Sequence, residues 1–200
     1  MNSRETMQTR RTLLQRIVDV EDTQAWYEFV YYYRGYIYGI LRHMNVSHHD
    51  AEEIIQAVLL KVSEIIHGFE YDPSRGRFRG YLARITANAA RNHFRSSRKN
   101  ISLDETMENC GIPEELSSES ELEQLADKEW EEHLYRLAWQ NVSGSFGDNM
   151  CKCWEMLCAE KSPQEIAAEL NISESSIYVY KKRIQEKLKS EIKRIRQEIE

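Results

Sequence analysis

The sequence predicts an all-α protein. Three prolines and eight glycines in 200 residues leave long uninterrupted segments. Apolar residues recur in these segments at helical spacing, and the period-two alternation of a half-buried strand is scarce. Near the C-terminus, Ser162 to Leu188 reads as a short helix, a tight turn and a longer basic helix, the pattern of a helix-turn-helix. The expected architecture is two small helical domains joined by an acidic linker, the second containing the helix-turn-helix.

Residues 1–20 combine a charged start with Leu13, Leu14, Ile17 and Val18, enough for one short helix. A long helix follows, with Trp26, Phe29, Val30, Tyr33, Ile37, Ile40, Leu41 and Met44 on one stripe. Gly35 and Gly39 either interrupt that helix or let a neighbour pack close. Ser47 to Asp50 supplies a cap for a third helix running to about Phe69. At 100° per residue, Ile54, Ile55, Val58, Val62, Ile65, Ile66 and Phe69 share its inner face. Glu53, Gln56, Leu60, Glu64 and His67 fall opposite. A single leucine among polar residues is either an ordinary exposed leucine or a docking face for a partner.

A loop from Glu70 to Arg77 leads into a helix from Phe78 to about Arg98. Between Pro73 and Lys99 stand Arg75, Arg77, Arg79, Arg84, Arg91, Arg95 and Arg98 with no acid, interleaved with Phe78, Tyr81, His93 and Phe94. Leu82, Ile85 and Ala89 give this helix a buried side. Solvated helix faces mix charge signs. Dense arginine with aromatics fits phosphate contact and base stacking. Residues 99–121, rich in Ser and Glu and containing Gly111 and Pro113, read as a linker, and two helices near 122–142 and 149–160 precede the helix-turn-helix.

Within the helix-turn-helix, Ser162 caps the first helix, Pro163 suits its first position and Glu165 completes a capping box. Ile166, Ala167 and Leu170 line one face. Asn171 sits where the helix must stop, because asparagine tolerates the left-handed conformation of a helix end. Ile172 pins the two helices, Ser173 caps the second, and Ile177, Ile184 and Leu188 point inward. Ser175, Ser176, Tyr178, Val179, Lys181, Lys182 and Arg183 are left as the DNA-facing set. The last helix, to about Arg196, would be about 34 Å long at 1.5 Å per residue.

Charge is unevenly spread. Residues 1–100 carry 15 Lys/Arg against 11 Asp/Glu, residues 101–160 carry 3 against 15, and residues 161–200 carry 9 against 7. Two mildly basic units therefore flank an acidic segment, and nucleic-acid binding is compatible with the overall charge of -6. No apolar run reaches the roughly 20 residues of a membrane span, and the N-terminus has no apolar signal core, so a cytoplasmic location is expected. Cys110, Cys151, Cys153 and Cys158 show no disulfide framework. Cys151 and Cys158 share a helix face while Cys153 does not, and one helix does not close a tetrahedral metal site. A single Glu64-x-x-His67 pair, facing outward, falls short of a di-iron bundle. Phosphate-binding, nucleophile-elbow, zinc-protease and dinucleotide motifs are missing. The expectation is a non-enzyme without metal or cofactor.

These segments resemble the RNA polymerase sigma factors of the sigma-70 family, extracytoplasmic-function group. Asp50-Ala-Glu-Glu-Ile-Ile-Gln-Ala-Val-Leu-Leu-Lys-Val62 is similar to the segment that grips the clamp helices of the polymerase β′ subunit. Arg75-Gly-Arg-Phe-Arg-Gly-Tyr-Leu-Ala-Arg-Ile-Thr-Ala-Asn88 through Arg95 is similar to the element for −10 recognition and strand opening, and Ser162 to Leu188 to the −35-reading helix-turn-helix. The likeness covers about residues 22–97 and 122–192, with the three motifs in the family's order. It implies a region 2-like domain over 1–98, an acidic linker over 99–121 and a region 4-like domain over 122–200.

The resemblance further implies that Asp50, Glu53, Gln56, Leu60 and Glu64 meet the β′ clamp. Tyr71, Arg75, Arg77, Phe78, Arg84, Asn88, Arg91, Asn92 and Arg95 would meet the −10 element, the loop from Tyr71 to Arg77 capturing a flipped base. Ser175, Ser176, Tyr178, Val179, Lys181, Lys182 and Arg183 would meet the −35 element, and the linker would thread polymerase channels. Implied partners are core RNA polymerase, through the β′ clamp helices and the β flap, promoter DNA, and the anti-sigma proteins that often restrain this group. No membrane and no small-molecule substrate is implied. Ala57, Leu59, Tyr81, Asn92 and Asn171 depart from the residues common at these positions. The alternative is a stand-alone helix-turn-helix regulator, which leaves the arginine-rich helix and Leu60 without a role.

Overall fold

The computed structural model describes residues 12–19, 21–66, 77–100 and 119–199, without the side chains of 97–100. The described residues form eight helices and no strand. In order these are α1 (Leu13–Arg16), α2 (Thr23–His43), α3 (His48–Ile66), α4 (Phe78–Asn100), α5 (Glu119–Ser143), α6 (Asp148–Cys158), α7 (Pro163–Leu170) and α8 (Glu174–Ile199). The chain divides into two compact units, Met1–His133 with Ile199–Glu200, and Leu134–Glu198. The boundary falls inside α5, so the second domain read from the sequence begins within the first compact unit.

The first unit is a bundle around α2. Asp22 starts α2 by accepting the Ala25 N–H at 2.8 Å. The same carboxylate is held by Arg16, 3.1 Å away, which also reaches Glu28 at 2.6 Å. Both acids sit below their ordinary pKa because of that guanidinium. Phe29, Tyr33, Tyr36, Ile37, Ile40 and Leu41 are buried, while Trp26 and Val30 from the same expected stripe are half-buried. The turn to α3 uses Asn45 at φ 56 and buries Val46. In α3, Ile54, Ile55, Val58, Val62 and Ile66 face inward. Helix α4 buries Leu82, Ala83, Thr86, Ala87 and Ala90, with Ile85 and Ala89 half-buried at the margin.

Neither glycine of α2 interrupts it. Each clears space for α5: a Cβ on Gly35 would come 2.8 Å from the His133 ring, and one on Gly39 would collide with the Glu129 carboxylate. Trp130 fills the adjacent site, stacked on Tyr33 at 5.5 Å and edge-on to Tyr36 at 5.1 Å. Burial raises the Tyr36 hydroxyl above the ordinary tyrosine pKa, and it donates at 3.0 Å to the Arg79 carbonyl.

The second unit packs α6, α7 and α8 around Cys153, Met156, Ile166 and Ile177, with Leu157, Ala167, Leu170, Ile172 and Tyr180 around them. The end of α5 joins through Asn141, whose amide donates to Glu191 of α8 at 2.8 Å. Trp139 stacks near Phe146 and Trp154.

Candidate nucleic-acid and partner interface

The helix-turn-helix forms as its local chemistry dictates. Ser162 Oγ accepts the Glu165 N–H at 3.3 Å, and the Glu165 carboxylate accepts the Ser162 N–H at 2.8 Å. These bonds hold Glu165 below its usual pKa. Asn171 ends α7 in the left-handed region at φ 52, ψ 48. Ser173 Oγ then accepts the Ser176 N–H at 3.2 Å and starts α8. With Ile177, Ile184 and Leu188 turned inward, Ser175, Tyr178, Val179, Lys181, Lys182 and Arg183 are exposed and Ser176 is half-buried. Tyr178 and Val179 are 60% and 62% exposed, an unusual state for large apolar groups on a packed helix. Tyr180 differs from its neighbour Tyr178, since it packs against the core.

On α4, Arg84, Asn88, Arg91 and Arg95 recur at four- and three-residue steps and share one outward stripe with Asn92. Arg91 donates to Asn88 and Arg95 to Asn92, each at 3.1 Å. The stripe ends at Arg84 with two carboxylates of α5: Glu119 at 2.5 Å and Glu123 at 3.3 Å. Arg77 is exposed at the entry to α4. Tyr71 and Arg75 lie outside the described residues, as does most of the linker read over 99–121.

Phe78 requires a correction. It was expected to face DNA with the arginines, but it is 4% exposed and sits edge-on to Phe29 and Tyr33 at 5.9 and 5.5 Å. Its ring is a core anchor at the first turn of α4 and offers no face to a base. Arg79 is buried too, bound to Asp127 at 2.8 Å. Alternating arginine and aromatic residues in sequence therefore do not all point the same way once wound into a helix.

On α3, Glu53, Gln56, Leu60 and Glu64 lie on the exposed side, with Leu60 63% exposed. Asp50 belongs to the helix start as much as to this face. It accepts from Ser47 Oγ at 2.6 Å and approaches His93 Nε2 at 3.3 Å, and these partners hold its carboxyl below the usual range. The register of α2 against α3 is antiparallel, fixed by Arg34 on Glu52 at 2.6 Å and Tyr38 against His48 at 3.4 Å. Tyr27 and Tyr31 of α2 are also exposed, at 66% and 51%. The sequence reading missed these two tyrosines; their signal is the spacing of Tyr27, Tyr31, Arg34 and Tyr38 on the side of α2 opposite its apolar stripe.

The cysteines separate: Cys153 is core, Cys151 is half-buried and donates to the Ser143 carbonyl at 3.6 Å, and Cys158 is exposed beside the Tyr135 hydroxyl. Burial pushes the Cys153 thiol above its ordinary pKa. Cys110 lies outside the described residues. Among the described residues, His43, Glu129 and Glu132 bring potential ligand atoms within 4.8 Å of one another. His43 Nε2 lies 3.2 Å from the buried Glu129 carboxylate. No described helix is long and apolar enough to cross a membrane.

Comparison with known families agrees with this geometry. Residues 29–100, from α2 to α4, match sigma-70 region 2. Residues 150–194, from α6 into α8, match the bacterial regulatory proteins of the luxR family. No curated protein and no solved structure matches the chain significantly. A sigma-70 region 2 match followed by a luxR-type match on the helix-turn-helix supports a DNA-binding role in transcription, in promoter recognition.

Proposed function

We propose that this protein is a transcription initiation factor of the extracytoplasmic-function group, which binds core RNA polymerase in the cytoplasm and directs it to promoters. The outer face of α3, with Leu60 at its centre and Asp50, Glu53, Gln56 and Glu64 around it, docks on the β′ clamp. The stripe of Arg84, Asn88, Arg91, Asn92 and Arg95 meets the −10 element together with Tyr71, Arg75 and Arg77. Ser175, Ser176, Tyr178, Val179, Lys181, Lys182 and Arg183 at the start of α8 meet the −35 element, and the helix-turn-helix unit reaches the β flap. The role needs no catalytic group of its own, and restraint by an anti-sigma protein fits it.

The observation that carries the reading is one chain presenting an arginine-rich stripe on a region 2 match, a basic helix-turn-helix, and a leucine left in solvent on α3. A stand-alone regulator needs only the helix-turn-helix. The test is run-off transcription with core polymerase on pooled genomic fragments. Discrete new transcripts that vanish with Leu60→Glu are expected. Transcripts unaffected by Leu60→Glu would remove the clamp assignment, and sequence-specific DNA binding without any polymerase binding would favour the regulator.

A further inference from the structure

Among the described residues, the first half of α5 is densely acidic, with seven acids and one lysine between Glu119 and His133. It is also seated in the first unit by contacts that look specific to it. Trp130 is 1% exposed between Tyr33 and Tyr36. His133 Nε2 lies 2.6 Å from the Tyr32 carbonyl, and Tyr36 Oη lies 3.3 Å from the Ala126 carbonyl. Gly35 and Gly39 stand inside a long helix, where glycine is less favourable than alanine. At both positions an added Cβ would run into an α5 side chain, His133 or Glu129. Two glycines, each opposite an α5 side chain, mark this docking as built into α2.

Its charge falls on a functional surface. Glu119, Glu123 and Asp127 follow at four-residue steps, about 6 Å apart along the helix axis. Glu119 and Glu123 hold Arg84, and Asp127 holds Arg79. Arg84 is the first member of the stripe that continues through Asn88, Arg91 and Arg95. Two carboxylates thus sit on the first arginine of the stripe, the kind of group a phosphate would approach there. The rim at Arg84 is weak, because the Glu119 and Glu123 pairs are solvent-exposed and water screens them. Nucleic acid offers exposed Arg84 charge-assisted bonds to phosphate. The two ligands compete for one surface.

We propose that residues 119–133 of α5 are an intramolecular competitor for nucleic acid on α4, docked through Trp130 and the Gly35 and Gly39 clearings and displaced when DNA is engaged. The proposal rests on the reading of α4 as a DNA surface given above. It predicts that loosening α5 strengthens DNA binding, which a purely structural helix would not do.

The experiment uses the full chain and a fluorescein-labelled single-stranded DNA of about 12 nucleotides, read by anisotropy. Amide hydrogen exchange over 119–133 reports docking, and circular dichroism reports helix content. Gly39→Ala favours α2 while evicting Glu129. It should raise exchange over 119–133 and tighten DNA binding about fivefold or more, the lower end of ordinary coupling between sites. The triple variant Glu119→Gln, Glu123→Gln, Asp127→Asn leaves α2 untouched, and decides the matter if Gly39→Ala loses helix content. It should tighten binding more than a control triple that removes equal charge elsewhere, Glu155→Gln, Glu160→Gln, Glu169→Gln. Raised exchange without tighter binding, unchanged exchange in a folded Gly39→Ala, or equal effects of the two triples would each overturn the proposal. Run-off transcription reads the promoter assignment separately. A chain silent there whose Gly39→Ala variant still gains DNA affinity would lose the assignment and keep the competition.

Discussion

At the scale of single residues, burial sorts side chains that composition treats alike. Phe78 and Tyr178 are both aromatic and both lie among basic residues, yet one anchors a core and the other stands in solvent. Phe78→Ala should destabilise the first unit by about 3–5 kcal/mol, the usual cost of deleting a buried ring. Urea unfolding measures it, and a loss under about 1 kcal/mol would contradict the core assignment. Asp50 carries a pH signature. Its folded pKa lies below the ordinary value because Ser47, and then His93, stabilise the carboxylate. A depressed acid contributes stability above its unfolded pKa of about 3.9, and that stability is lost as pH falls through the lower folded value. Asp50→Asn should therefore cost about 0.5–1 kcal/mol near neutral pH and lose that deficit as the pH falls below the folded pKa. Equal deficits at both ends in denaturant titrations would sink the account.

At the scale of elements, α7 and α8 owe their form to local chemistry. The capping box, the left-handed Asn171 and the Ser173 cap are each legible in sequence because each involves residues at most four apart. Asn171→Ala should cost about 1–2 kcal/mol, since alanine pays the full left-handed penalty that asparagine lessens. Thermal melting reads the change, and an unshifted midpoint would count against a strained end to α7. The exposed basic turn of α8 has its own measurement. Lys181→Ala with Lys182→Ala should reduce the slope of log affinity against log salt by about 1.8 if both lysines meet phosphate. An unchanged slope would place both away from the backbone.

At the scale of the molecule, the first compact unit extends through the first half of α5. A fragment of residues 1–133 should therefore resist urea better than one of residues 1–118, by about the 3–5 kcal/mol of a buried tryptophan. Equal stabilities would mean that Trp130 contributes nothing to the unit that buries it. Sequence by itself determined the helical class, the positions of most helices, the helix-turn-helix with its caps, and the outward placement of Leu60. These follow from helical periodicity and near-neighbour hydrogen bonds, which act over one or two turns. Only tertiary structure decided that Gly35 and Gly39 receive His133 and Glu129, that Arg79 and Arg84 meet acids of α5, and that Phe78 turns inward. The residues of these α2–α5 and α4–α5 contacts lie tens of positions apart or more. Pairing across such distances depends on which helix faces meet in the packed bundle, and a one-dimensional pattern of charge and hydrophobicity does not carry that information.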